Sequence, residues 1–168
     1  MLAKERNCFR PLPGPLFRTS HHRGGTGADR VLVGRANRMT RQLFSTGSAY
    51  EPVIGCSRAV RSGNLLTISA TAPLSADGKT TVAADAYSQA KRCLQIIADV
   101  ISQAEFSLTD VVKTRVYFKS YDDWESIAKA HGEMFSTIRP ASAFIQVVGF
   151  ANPDWRLEIE AECHRSSG

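Results

Sequence analysis

Near the end of the chain Leu157, Ile159, Ala161 and Cys163 alternate with Glu158, Glu160, Glu162 and His164. In a β-strand that period of two puts the three carboxylates on one face. Like charges in a row, or burial, raise a carboxylate's pKa toward the range where it exchanges protons with a substrate or a water. The competing interpretation is a solvated strand face, or partners for Lys113 and Arg115 on a neighbouring strand. Cys163 and His164 are adjacent and so point to opposite faces, which is wrong for a thiolate–imidazole pair. His131 has no second ligand at i±4, so no metal site is expected there. Arg23-Gly-Gly-Thr-Gly27 is not followed by Gly-Lys-Ser/Thr, and no Gly-x-Ser-x-Gly elbow is present. The chain carries no self-sufficient motif for hydrolysis, phosphoryl transfer or hydride transfer.

The elements that must position these groups occupy only part of the 168 residues. Hydrophobic residues make up 43% and charged residues 22%, an ordinary globular composition. No apolar run approaches the roughly 18 residues of a membrane span, so no membrane partner is expected. Cys8, Cys56, Cys93 and Cys163 form no Cys-x-x-Cys pair. Neither a disulfide scaffold nor a cysteine zinc site is expected, and a reducing, cytoplasmic compartment fits.

The net charge of +5 is unevenly placed. Residues 1–38 hold eight basic and two acidic groups, 8 − 2 = +6, and residues 39–168 hold 13 and 14, 13 − 14 = −1. The body therefore lacks the basic surplus of a nucleic-acid binder, and nucleic acid is not an expected partner. Residues 1–38 contain Pro11, Pro13 and Pro15 and no sustained apolar period. They read as a basic, disordered N-terminal extension, in preference to a targeting peptide whose helix the prolines would break. Residues 39–168 read as one folded domain, with Met39 a natural start.

Within it, Arg58–Arg61 and Asn64–Pro73 flank a turn at Ser62-Gly63 and predict a hairpin. Apolar residues at three-to-four spacing predict a helix over Val82–Ala104 with Asp85 as its cap. Val111–Lys119 alternates and predicts a strand. A second helix is predicted over Asp122–Thr137, capped by Asp122 or Asp123, followed by strands at Ala143–Gly149 and Trp155–Cys163. The order β-β-α-β-α-β-β predicts an α+β fold, one mixed sheet with two helices on one face. Phe144 and Val148 against Ile145 and Val147 make both faces of one strand apolar, so a second subunit is expected to cover the open face.

Several segments are similar to the RidA/YjgF family of imine deaminases. They are Ser62-Gly-Asn-Leu-Leu-Thr-Ile-Ser-Ala-Thr-Ala-Pro73, Asp110-Val-Val-Lys-Thr-Arg-Val-Tyr-Phe118, Arg139-Pro-Ala141 and Leu157-Glu-Ile-Glu-Ala161. The resemblance spans 39–168, and Gly55-Cys-Ser-Arg-Ala-Val-Arg61 resembles one branch of the family. It implies a chorismate-mutase-like fold and a homotrimeric barrel with small-molecule clefts between subunits. It also implies hydrolysis of enamines or imines to a carbonyl product and ammonia, without metal or cofactor.

By the same resemblance Glu158 falls on the carboxylate that handles water. The family's arginine after Pro-Ala, which grips the substrate carboxylate, is replaced by Ser142. Cys56 stands on a tyrosine position, and Ser69-Ala70 on a Ser-Gly pair. An asparagine position falls on Ala128. Substrate-binding residues are therefore expected at Ser142, Ser69, Ala70, Cys56, Arg58 and Phe144. Arg58, two residues from Cys56 on the same strand face, is a candidate substitute cation, as is Arg139 in the turn. Without the arginine fork the expected alternative is a trimeric metabolite-binding protein that turns nothing over.

Overall fold

The computed structural model describes residues 41–48, 50–82 and 84–166, which belong to the compact unit Asn37–Gly168. The extension over 1–38, read above as disordered, lies outside the described residues. One six-stranded sheet runs in the order β1-β2-β3-β6-β4-β5. Its strands are β1 (Arg41–Phe44), β2 (Ala59–Ser62), β3 (Leu65–Thr71), β4 (Val111–Phe118), β5 (Ala141–Gln146) and β6 (Leu157–His164). The helices are α1 (Tyr50–Ile54), α2 (Ala86–Gln103) and α3 (Trp124–Phe135). All strand pairs are antiparallel except β4 with β5. This is the mixed sheet of a chorismate-mutase-like α+β fold.

The β2–β3 hairpin closes on Ser62 opposite Leu65, with Gly63 at φ 60°. A positive φ at the first loop position matches the twist of antiparallel strands, and glycine adopts it without a Cβ clash. α2 lays Ala90, Cys93, Leu94, Ile97, Val100 and Ile101 against the sheet, all essentially buried. They meet Leu66 and Ile68 of β3 and Leu157, Ile159, Ala161 and Cys163 of β6. Burial pushes the Cys93 thiol far up and the Cys163 thiol to about 12, so both serve as small apolar groups.

Several elements differ from the sequence-based expectation. α2 starts at Ala86 and not Val82, because the preceding segment folds back on itself. Leu74 bridges Thr81, Ser75 N–H donates to the Thr80 carbonyl at 2.8 Å, and Val82 N–H donates to Pro73 at 2.9 Å. The Asp85 carboxylate then accepts from Ser88 N–H at 2.8 Å and caps the helix. Asp123 begins α3 without a side-chain cap bond. Its carboxylate instead accepts from Arg156 Nη1 at 3.0 and 3.1 Å. β5 covers 141–146 and not 143–149: its partner β4 ends at Phe118, opposite Gln146, and Val148 is fully exposed. β6 begins at Leu157, since Trp155 N–H closes a turn onto the Asn152 carbonyl.

β1 and α1 were not expected at all. Four and five residues are too few to display a hydrophobic period. No helix among the described residues is long and apolar enough to cross a membrane.

Candidate functional site

The alternation of β6 divides its side chains as the sequence requires. Leu157, Ile159, Ala161 and Cys163 face α2, and Glu158, Glu160 and Glu162 face the other side. The three carboxylates do not share one fate. Arg115, opposite Glu160 on β4, donates from Nη1 to Glu160 and Glu162, each at 3.1 Å. Tyr117 Oη also donates to Glu160, at 3.3 Å. Glu158, opposite Tyr117, has no ion pair among the described residues. Burial lifts its pKa above the usual carboxylate range; the Arg58 charge pulls it back and Glu160 adds a further push.

Glu158 lines a cleft of about 380 Å³ with Cys56, Arg58, Ser69 and Ala70. That volume suits a small-molecule site. A β-bulge brings β3 into it. Ile68 pairs with Ala161 but Thr71 pairs with Ile159, so β3 spends one more residue than β6 over this stretch. The extra residue bends the strand and re-aims Ser69 and Ala70 toward the cleft. Ser69 is held there by its hydroxyl, which donates to the Ser57 carbonyl at 2.8 Å.

Arg58 enters just before β2. Its Nη1 donates to the Ala70 carbonyl at 2.8 Å and to Thr71 Oγ1 at 3.1 Å. Its Nε has no hydrogen-bond partner among the described residues and faces Glu51 Oε1 at 3.8 Å. Glu51 is itself buried and accepts from Ser45 Oγ, from Thr46 Oγ1 at 3.1 Å and from Thr46 N–H at 3.3 Å. Much of the guanidinium is thus committed to protein, while its charge still reaches Glu158.

Ser142 and Phe144 lie elsewhere in the protomer. They occupy the helix-side face of β5, on the opposite side of the sheet from Glu158. Phe144 packs edge-on against Trp124, with ring centroids 4.7 Å apart, and against His131 at 5.4 Å. Ser142 Oγ lies 2.8 Å from Thr114 Oγ1, which lies 2.9 Å from His131 Nε2. Burial holds His131 below the ordinary histidine pKa. Ala128 sits on α3 and Arg139 is exposed before β5 at φ 54°; neither lines the cleft. No group of three His, Cys, Asp or Glu among the described residues is placed to hold a metal.

The cleft also has walls that the sequence reading missed. Tyr50, Ile54, Leu74, Ala151 and Trp155 are its apolar lining. Tyr50 and Ile54 belong to α1, which has no readable period. The sequence pattern predicts Trp155 within the last strand, which starts two residues later. The Asn152-Pro153-Asp154 turn was the available signal that it could point elsewhere.

Comparison with known proteins agrees with this architecture. The sequence profile described as endoribonuclease L-PSP matches residues 46–164. A RutC family protein of Pyrococcus abyssi is 28% identical over 127 residues, 76% of this chain and 99% of its own. The 3-aminoacrylate deaminase RutC of Acinetobacter baylyi is 29% identical over 126 residues, 75% of this chain and 99% of its own. The crystal structure of a YjgF/YER057c/UK114 family member from Mycobacterium tuberculosis is 31% identical with a TM-score of 0.69, covering 75% of this chain and 100% of that one. Escherichia coli TdcF with bound serine is 25% identical with a TM-score of 0.61, covering 66% of this chain and 87% of that one. The chain belongs to the RidA/YjgF family, described by its profile as endoribonuclease L-PSP.

Proposed function

We propose that this protein is a homotrimer that hydrolyses enamine- or imine-type reactive metabolites in clefts between subunits, with Glu158 handling the water. The observation that carries the reading is Glu158 itself: the one carboxylate of its row without an ion pair among the described residues, partly buried, and bordering a cleft of suitable size. The 29% identity to a 3-aminoacrylate deaminase supports the reaction class. The exposed Ile145 and Val148 at the β5 edge support a covering subunit. A neighbour's edge strand would bring its Ser142 to the cleft. The free thiols of Cys56, Cys93 and Cys163 suit a reducing cytoplasm.

The chemistry balances on one carboxyl group. Water oxygen bonds to the carbon of the protonated imine as Glu158 takes one of its protons. The carbinolamine nitrogen takes that proton back and leaves as ammonia. The remaining hydroxyl releases its proton to solvent and becomes the carbonyl. No metal or cofactor enters these steps.

Freshly generated imines of several amino acids, presented to the full chain, should release ammonia faster than with Glu158→Ala. Equal rates overturn the reading. The replacement of the family's arginine by Ser142 favours a second reading, a trimeric metabolite-binding protein without turnover. That reading requires a metabolite that raises the melting temperature and is recovered unchanged.

A further inference from the structure

The lining of the cleft combines two chemistries. Glu158, Arg58 and Ser69 are its polar members, and Tyr50, Ile54, Leu74 and Trp155 are apolar. The Trp155 ring is anchored, since its Nε1 donates to Thr81 Oγ1 at 3.1 Å. Tyr50 meets it edge-on, with centroids 6.2 Å apart and planes at 76°. Aromatic rings in this T-shaped relation present a surface that suits a third ring or a branched apolar group.

The polar lining is poorly equipped to grip a carboxylate. A bidentate grip needs two N–H groups on one free edge of the guanidinium. In Arg58, Nη1 is spent on Ala70 and Thr71, and Nε is buried facing Glu51. Ser142, where the family resemblance expects an arginine, carries no charge. Affinity must therefore come mainly from apolar burial.

Resting on the deaminase reading of this same cleft, we infer that it selects imines whose carbon bears a bulky apolar group, above all an aromatic one, and that it does so with little regard for a carboxylate. Tyr50 and Trp155 are the specificity-determining residues.

Binding and turnover are measured separately on the full chain. Unreactive probes for calorimetry are 3-phenylpropanamide, propanamide and 3-phenylpropanoate. Imines for ammonia release are generated from phenylalanine, alanine and phenethylamine. The aromatic amide should bind at least about tenfold tighter than propanamide, and within about threefold of the aromatic carboxylate. Tyr50→Ala and Trp155→Ala should each remove most of that preference by weakening the aromatic amide far more than propanamide. Tyr50 is half exposed, so its variant keeps the test available if Trp155→Ala does not fold.

Equal affinity for large and small amides overturns the inference, as does a carboxylate preference above about tenfold. So does a variant that alters subunit assembly without altering probe affinity, because the apolar wall would then belong to a subunit contact. Aromatic selectivity in binding without ammonia release would end the deaminase reading and leave the selectivity intact. Ammonia released fastest from the alanine imine would do the reverse.

Discussion

Arg58 Nε lies 3.8 Å from Glu51 Oε1, with both side chains almost withdrawn from solvent. This pair ties the five-residue α1 to the start of β2 and holds one wall of the cleft. Removing one partner of a buried pair leaves the other charge uncompensated. Glu51→Ala is expected to cost about 3 kcal/mol of stability in urea denaturation. Glu51→Gln, which still accepts from Thr46, should cost less. A loss under about 1 kcal/mol for the alanine variant would mean that the pair is not a structural tie.

Glu158 titrates in the opposite sense to an ion-paired carboxylate. Its folded pKa is raised, so its stabilising contribution is complete below the unfolded value of about 4.3 and is lost as pH rises through the folded value. Glu158→Gln should equal the parent in stability in acid and exceed it at neutral pH. The same substitution should abolish ammonia release. Denaturation midpoints across the acid range check the first statement, and a variant less stable than the parent at neutral pH contradicts it.

His131 behaves differently. Burial depresses its folded pKa, so the unfolded chain binds the proton more tightly. Stability is fully present above about pH 6.5 and falls as pH drops through the folded value. His131→Gln should lose less stability than the parent on acidification from about pH 7 to about pH 5. An unchanged slope would locate the acid sensitivity elsewhere.

Ser142 can be converted to the residue that the family resemblance expects. Its side chain is at an exposed edge, so Ser142→Arg should fold. If a neighbour's β5 reaches the cleft, the added guanidinium should raise kcat/KM on small carboxylate-bearing imines by at least about tenfold. Sedimentation equilibrium of the same protein should give the mass of three chains. A single-chain mass removes the route by which this substitution could act.

Any RNA affinity should reside in residues 1–38, which carry the charge surplus. Deleting them should abolish binding, and binding by the full chain should weaken steeply with salt. Undiminished binding after the deletion would place a nucleic-acid surface on the body.

Much of this protein was written in short-range patterns. The three-to-four spacing of Ala90, Cys93, Leu94, Ile97, Val100 and Ile101 determined α2 and its buried face, and the strict alternation of β6 determined which side Glu158 takes. Both follow from backbone periods that operate whatever surrounds them. Tertiary structure decided what periodicity cannot encode. Arg115 pairs with Glu160 and Glu162 and leaves Glu158 without an ion pair among the described residues, because pairing depends on register between strands far apart in sequence. Ser142 and Phe144 sit on the opposite face of the sheet from Glu158, since their register sets them beside Thr114 and Val116 and not beside Tyr117. The Tyr50–Trp155 wall exists only because two segments about a hundred residues apart fold against one another, and such a contact leaves no trace in either segment's own sequence.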